Sequence, residues 1–201
     1  MIVLGNQLAL QFAVGQYTDF LEVEDFKSMR LVELAGGLRP LITLNFSVQK
    51  EEILPYLNNG NIIRLMYGIN EPTSDILEFE IRGDNKTKEY RLGSNIELSA
   101  VMYNRGFTST KKKATFYNRK SYQVISLLAI QNSLKIKTNV TRTNDAQNWY
   151  QTGINDWGMF EYVAQRAYKD NDTFFSYGLD NNNLYFYDIR ELLQKGPKWI
   201  L

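Results

Sequence analysis

The chemistry open to this chain is bounded first by two residue types it lacks: none of its 201 residues is histidine or cysteine. Without cysteine there is no thiolate nucleophile, no disulfide and no thiolate metal site. Without histidine the usual general base, the usual zinc ligand and the usual switch near neutral pH are gone. Serine–histidine triads, zinc hydrolases and histidine phosphotransfer are therefore excluded, leaving paired carboxylates and lysine. The acidic clusters are Glu22, Glu24 and Asp25; Glu51 and Glu52; and Glu78 and Glu80. A glycosidase needs two carboxyl groups about 5–10 Å apart in a cleft. Glu78 and Glu80 instead alternate with Leu77, Phe79 and Ile81, which places them on the solvent side of a strand. Asp170-Asn171-Asp172 lacks the glycine-containing twelve-residue pattern of a calcium loop, and Gly36-Gly37 has no phosphate-binding context. The expectation is a protein that is not an enzyme, with no catalytic residue, metal or cofactor.

Residues that could bind are more prominent. The stretch QNWYQTGINDWGMFEYVAQRAY, residues 147–168, holds two tryptophans, three tyrosines and a phenylalanine. With Asp156 as N-cap, the residues Trp157, Phe160, Val163 or Ala164, and Ala167 recur at the spacing of one buried helical stripe. Trp149 and Tyr150 precede that helix and stay open between packing, subunit contact and ligand stacking. Residues 104–121, NRGFTSTKKKATFYNRKS, carry Arg105, Lys111, Lys112, Lys113, Arg119 and Lys120 and no acid. Phe107, Phe116 and Tyr117 lie between them, a superficial likeness to a nucleic-acid strip. Yet the net charge is only +1, so a solvated or subunit-facing connector is the plainer reading, with an acidic protein partner and nucleic acid as alternatives. Trp149, Tyr150, Lys111, Lys112 and Lys113 are the candidate interface residues.

The elements that position these residues change texture along the chain. LALQFAV, PLITLNFSV, NIIRLMYG and NIELSAVMY alternate at period two and read as strands. ILEFEIRGDNKTKEYRL reads as a hairpin turning at Gly83-Asp84-Asn85. KEEILPYLNNGN is a short helix between strands. Short, closely spaced alternating strands favour a small barrel or sandwich. After the basic connector, Ser121 is the expected N-cap of a helix over YQVISLLAIQNS that ends at Asn132-Ser133. LKIKTNV is a strand, TRTNDAQN a polar loop, and the helix from Asp156 runs out at KDND. TFFSYGL and NLYFYDI form a hairpin around Asp180 to Asn183. No apolar run approaches the ~18 residues of a membrane span, and MIVLGNQLALQF lacks a basic n-region, so a soluble, non-secreted chain is expected.

The order YQVISLLAIQNSLKIKTN, QNW, GINDWGMFEYVAQRA and a short aromatic hairpin resembles the baseplate hub proteins of contractile-tail bacteriophages and related injection systems. Gln147, Asn148, Trp149, Asp156, Trp157, Phe160 and Ala164 carry the resemblance, over residues 121–188. The family ends each helix on glycine, whereas this chain has Asn132 or Ser133, and Tyr168-Lys169. Family hubs carry two tube-like barrels. This chain ends at GPKWIL soon after the hairpin, which would make it a reduced hub or one whose second barrel lies elsewhere. The resemblance implies an α+β, mainly β fold. Residues 1–118 would form a tube-like antiparallel barrel, 119–188 a helix–strand–helix–hairpin hub module and 189–201 a tail. It also implies a structural homotrimer linking tail tube or adaptor to spike among other baseplate proteins. That protein would belong to the virion, assemble in the host cytoplasm, and bind neither membrane nor specific nucleic-acid sequence. The rival expectation is a carbohydrate- or surface-binding β module using Trp149 and Tyr150.

Overall fold

A computed structural model of the chain describes residues 8–14, 26–32, 39–47, 51–69, 76–82, 93, 95–180 and 182–195. The protein is mainly β and divides into two compact units, 1–32 with 40–103, and 33–39 with 104–201. The first unit is one six-stranded antiparallel sheet that curls into a half-barrel. Its strands are β1 (Leu8–Val14), β2 (Phe26–Val32), β3 (Leu41–Ser47), β4 (Ile62–Ile69), β5 (Leu77–Ile81) and β6 (Asn95–Met102), in the order β1-β4-β5-β6-β3-β2. Period-two alternation explains the core directly: Ile42, Leu44 and Phe46, Ile63 and Leu65, Leu77, Phe79 and Ile81, and Ile96, Leu98, Ala100 and Met102 are all buried. Each of these side chains larger than alanine contributes roughly 1.5–3 kcal/mol by leaving water.

Two local readings of this region change. Glu51–Tyr56 is a 3₁₀ turn with Pro55 inside it, because proline cannot donate the bond that a longer helix needs there. β5 pairs with β4 and β6. The expected hairpin strand after Gly83-Asp84-Asn85 falls outside the described residues, as do the acidic residues Glu22, Glu24 and Asp25.

The second unit begins with a single π-turn, Arg105–Ser109, capped by the Asn104 side chain accepting from Phe107 N. It continues as β7 (Lys111–Arg119), α1 (Ser121–Gln131), β8 (Lys135–Thr138), β9 (Gln147–Asn155), α2 (Asp156–Ala164), β10 (Phe175–Asp180), β11 (Asn183–Asp188) and α3 (Ile189–Gln194). β10 and β11 form the expected hairpin, and β8 adds to β11 in parallel. β7, which the sequence boundary at residue 118 puts with the barrel, pairs with β9 in the second unit. The expected C-terminal tail opens with α3, N-capped by Asp188, whose carboxylate accepts from Glu191 N at 3.2 Å. Lys169 binds the same Asp188 at 2.7 Å and Glu191 at 2.5 Å. Those two carboxylates raise its pKa above the ordinary lysine value.

The helix ends also differ from their sequence readings, for identifiable reasons. Lys120, not Ser121, is the N-cap of α1. The free N–H groups of Ser121 and Tyr122 are met by Asp145 at 3.0 Å and Thr143 at 3.3 Å, so the polar loop TRTNDAQN does the capping. At the other end Ser133 has φ +55°, Leu134 N bonds Ala129 O at 2.9 Å and Ser133 N bonds Ile130 O at 3.1 Å. This is a Schellman ending with serine where glycine is normal. Ser133→Gly is therefore expected to stabilise the protein by about 0.5–1 kcal/mol, measured by urea unfolding. A loss of stability would show that the serine side chain has a role its backbone does not reveal.

Candidate functional site

Nine-residue strands β7 and β9 form a separate two-stranded ribbon. Its pairing runs Phe116↔Trp149, Thr115↔Tyr150, Ala114↔Gln151 and Lys113↔Thr152, then jumps to Lys112↔Ile154 and Lys111↔Asn155. Gly153 is the extra residue at this jump and has φ +75°, a conformation that favours glycine. A second irregularity sets Tyr117 and Asn118 against Asn148; Asn118 has φ +47°, and its N–H bonds the Asn148 side chain at 2.9 Å. Alternation gives the ribbon two faces. Trp149 and Gln151 point inward and are buried, with Lys112, Ala114 and Phe116 half-buried beside them, while Lys111, Lys113, Thr115, Tyr117, Tyr150 and Thr152 are exposed.

Behind the inner face lies the most polar point of the interior. Asp156, the first residue of α2, is completely buried. Lys112 forms an ion pair with its Oδ2, and Asn132 Nδ2 donates to the same oxygen at 2.7 Å. Gln151 Nε2 donates to Oδ1 at 2.8 Å. The Asn132 amide also donates to Leu128 O and the Gln151 amide to Ile154 O. One carboxylate thus ties together β7, the end of α1, β9 and the start of α2. A buried charge persists only when its partners and hydrogen bonds are complete, as they are here. The true N-cap of α2 is Asn155, whose Oδ1 accepts from Gly158 N at 2.8 Å. The sequence expectation of Asp156 as cap is thus displaced by one residue, and its carboxylate serves tertiary structure.

The aromatic residues resolve into core and surface. Trp157, Phe160 and Phe107 pack edge-on or tilted with centroids 5.5–6.2 Å apart, and Tyr177 meets Phe160 edge-on at 5.6 Å. Glu161 on the same helix has its pKa raised by burial, partly offset by the Arg39 charge and a hydrogen bond from Trp157.

Of the candidate interface residues, Trp149 lies in the interior. It is 1% exposed, its indole N–H donates to Arg119 O at 2.7 Å, and its ring stands at 90° to that of Tyr162. Lys112 is committed to Asp156. Tyr150, 54% exposed, and Lys111 and Lys113 share the outer face, with Tyr117, 70% exposed, along the same strand. The residues that sequence reasoning missed are Gln151, Asn132 and the inward role of Lys112. The signal present was the alternation of KKKATFY, hidden by reading a lysine run as a loop. Among the described residues no group of three or more acidic side chains could hold a metal ion. A shallow depression on the ribbon is lined by Lys113, Thr115, Tyr150 and Thr152.

No protein-family model and no curated protein matches the sequence. Solved structures do. The 43 kDa tail protein of prophage MuSo2 from Shewanella oneidensis aligns over 88% of this chain and 53% of its own, with a TM-score of 0.51 and 11% identity. A chain of the Francisella PdpA–VgrG complex, half-lidded, aligns over 94% of this chain and 33% of its own, with a TM-score of 0.50 and 10% identity. This chain therefore spans about half the length of the first and a third of the second. At these identities the likeness is one of fold, and it runs through both units.

Proposed function

We propose that the protein is a structural component of a phage-type tail, a hub at the centre of a contractile baseplate. Identical copies, three in the expected arrangement, would form a ring that joins the tail tube or an adaptor on one side to the spike on the other. Other baseplate proteins would surround it in the virion, after assembly in the host cytoplasm. The observation that carries this reading is the pairing, in one chain, of a curled β sheet with a helix–ribbon–hairpin unit, a combination shared with a prophage tail protein over most of the chain. Function in this reading is assembly, through open strand edges and two mutually complementary surfaces on each copy, with no covalent chemistry, cofactor, membrane or sequence-specific nucleic acid. The rival reading, a carbohydrate-binding module using Trp149 and Tyr150, keeps only Tyr150 as an exposed ring, because the Trp149 indole is internal.

The test is solution mass at high protein concentration, alone and with the tail tube and spike proteins encoded nearest its gene. A multiple of the monomer mass, or a stable complex with either protein, is the expected result. A strict monomer that captures neither protein would sink the proposal.

A further inference from the structure

Helix α3 adds nothing to the core: none of its six residues is buried, and Leu192 and Leu193 are 40% and 77% exposed. Its start is nevertheless fixed. Asp188 caps it, and Lys169 holds both Asp188 and Glu191. Ile189 N donates to Phe174 O at 2.9 Å, and Arg190 pairs with Asp172 at 3.1 Å, so residues 172–174 lie against the helix. Alternation sends Phe175 toward Phe186, on which it stacks, and turns the Phe174 ring outward, 73% exposed. Ile189 and Leu193, four residues apart, share one helix face. With Phe174 they form an open groove of about 400 Å³, completed by Asp172, Arg190 and Gln194.

A helix this short is marginal alone and draws its stability from burying an apolar face. The sequence supplies a cover for that face directly. Lys195 is the C-cap of α3, and the residues after it are Gly-Pro-Lys-Trp-Ile-Leu, 196–201. Glycine and then proline just past a C-cap is the pattern on which helices stop and chains turn. Three large apolar residues follow, Trp199, Ile200 and Leu201. Trp199 is four residues past Lys195, and four extended residues span about 13–14 Å. That exceeds the length of a six-residue helix, about 9 Å, so the indole can reach any part of the groove. A segment tethered this closely has an effective concentration of millimolar order, against which a separate protein must compete.

We propose that residues 197–201 turn back over α3 and seat Trp199 and Ile200 in the groove between Phe174 and Leu193 of the same chain. Removal of the indole and the two exposed apolar side chains from water drives the contact. The docked segment supplies the apolar cover that α3 lacks. It also withdraws Phe174 and Leu193 from the surface offered to other proteins. The contact stands or falls independently of the ring reading above.

The experiment combines two probes of the segment. The chain has three tryptophans, and Trp149 and Trp157 are 1% and 7% exposed, so acrylamide quenching of tryptophan fluorescence reads Trp199. Trypsin cleavage after Lys198, followed by intact mass, reads the backbone beside it. In the wild type Trp199 is expected to resist the quencher and cleavage after Lys198 to be slow. F174S/L193S should expose Trp199 and speed that cleavage at least tenfold, with the far-UV circular dichroism kept because both replaced side chains face outward. W199S/I200S should speed it as much while leaving the groove untouched. Cleavage equally fast in the wild type and both variants, or a wild-type Trp199 already open to the quencher, overturns the proposal. So does protection that fades on dilution to about 1 µM, far below the effective concentration of the tether, since the segment would then sit on a second copy.

Discussion

Asp156→Ala is expected to destabilise the second unit by about 3 kcal/mol, close to the cost of breaking a buried ion pair. The substitution leaves the Lys112 ammonium without its counter-charge and takes the acceptor from Asn132 and Gln151. The estimate stays at the lower end of that class because Lys112 is about a third exposed and can turn to water. In a unit of about a hundred residues such a loss lowers the melting temperature by roughly 12–20 °C. Asp156→Asn is the sharper variant. Three donors converge on this side chain, and an amide offers one acceptor oxygen plus a donor that must face another donor. It should therefore cost nearly as much as alanine despite matching the carboxylate's shape. The measurement is urea unfolding followed by tryptophan fluorescence. A loss under about 1 kcal/mol for both variants would show that the four elements hold together without this carboxylate.

Trp149→Ala is expected to cost about 3–5 kcal/mol, the range for removing a large buried aromatic. The indole fills the space between the ribbon and Tyr162, and its N–H satisfies Arg119 O at the second ribbon irregularity. Tyr150→Ala, one residue along and on the opposite face, should stay within about 0.5 kcal/mol of wild type in stability. Because Tyr150 is an exposed candidate interface residue, the substitution should weaken self-association instead. The two neighbours thus separate folding from contact. A folded Trp149→Ala protein that has lost glycan binding would return the carbohydrate-binding reading to the front.

Much of this was legible in the residues themselves, because period-two burial and helical stripes are properties of neighbouring positions. Ile42, Leu44 and Phe46 alternate in sequence and are buried in fact; Trp157, Phe160, Val163 and Ala164 share a stripe and a core. What escaped depended on distant partners. β7 looked like a connector because three consecutive lysines suggest solvent, yet pairing with β9, some thirty residues later, makes it a strand and turns the middle lysine inward. Ser121 has the chemistry of an N-cap, but Asp145 and Thr143 arrive from the later loop and cap the helix first. Trp149 is ambiguous in sequence because nothing local says which side of a ribbon is covered. β2 escaped for a related reason: FKSMRLV has only a weak alternation, and its place at the sheet edge is set by pairing with β3.

The extra residue at Gly153 has a meaning for how the gene can change. Surface loops usually absorb insertions and deletions, yet this solvent-exposed glycine sits within the ribbon, three residues before α2, and it sets the count of residues from the inner face of β9 to the helix. Removing it would move Asn155 off the cap and Asp156 off its three donors in one step. Adding a residue there would do the same in the opposite direction. Residues 147–158 should thus behave as a fixed-length word among related chains, free to swap letters at Tyr150 or Thr152 and closed to gaps. The loop at 139–146 has more freedom in length wherever Thr143 and Asp145 can still reach the helix.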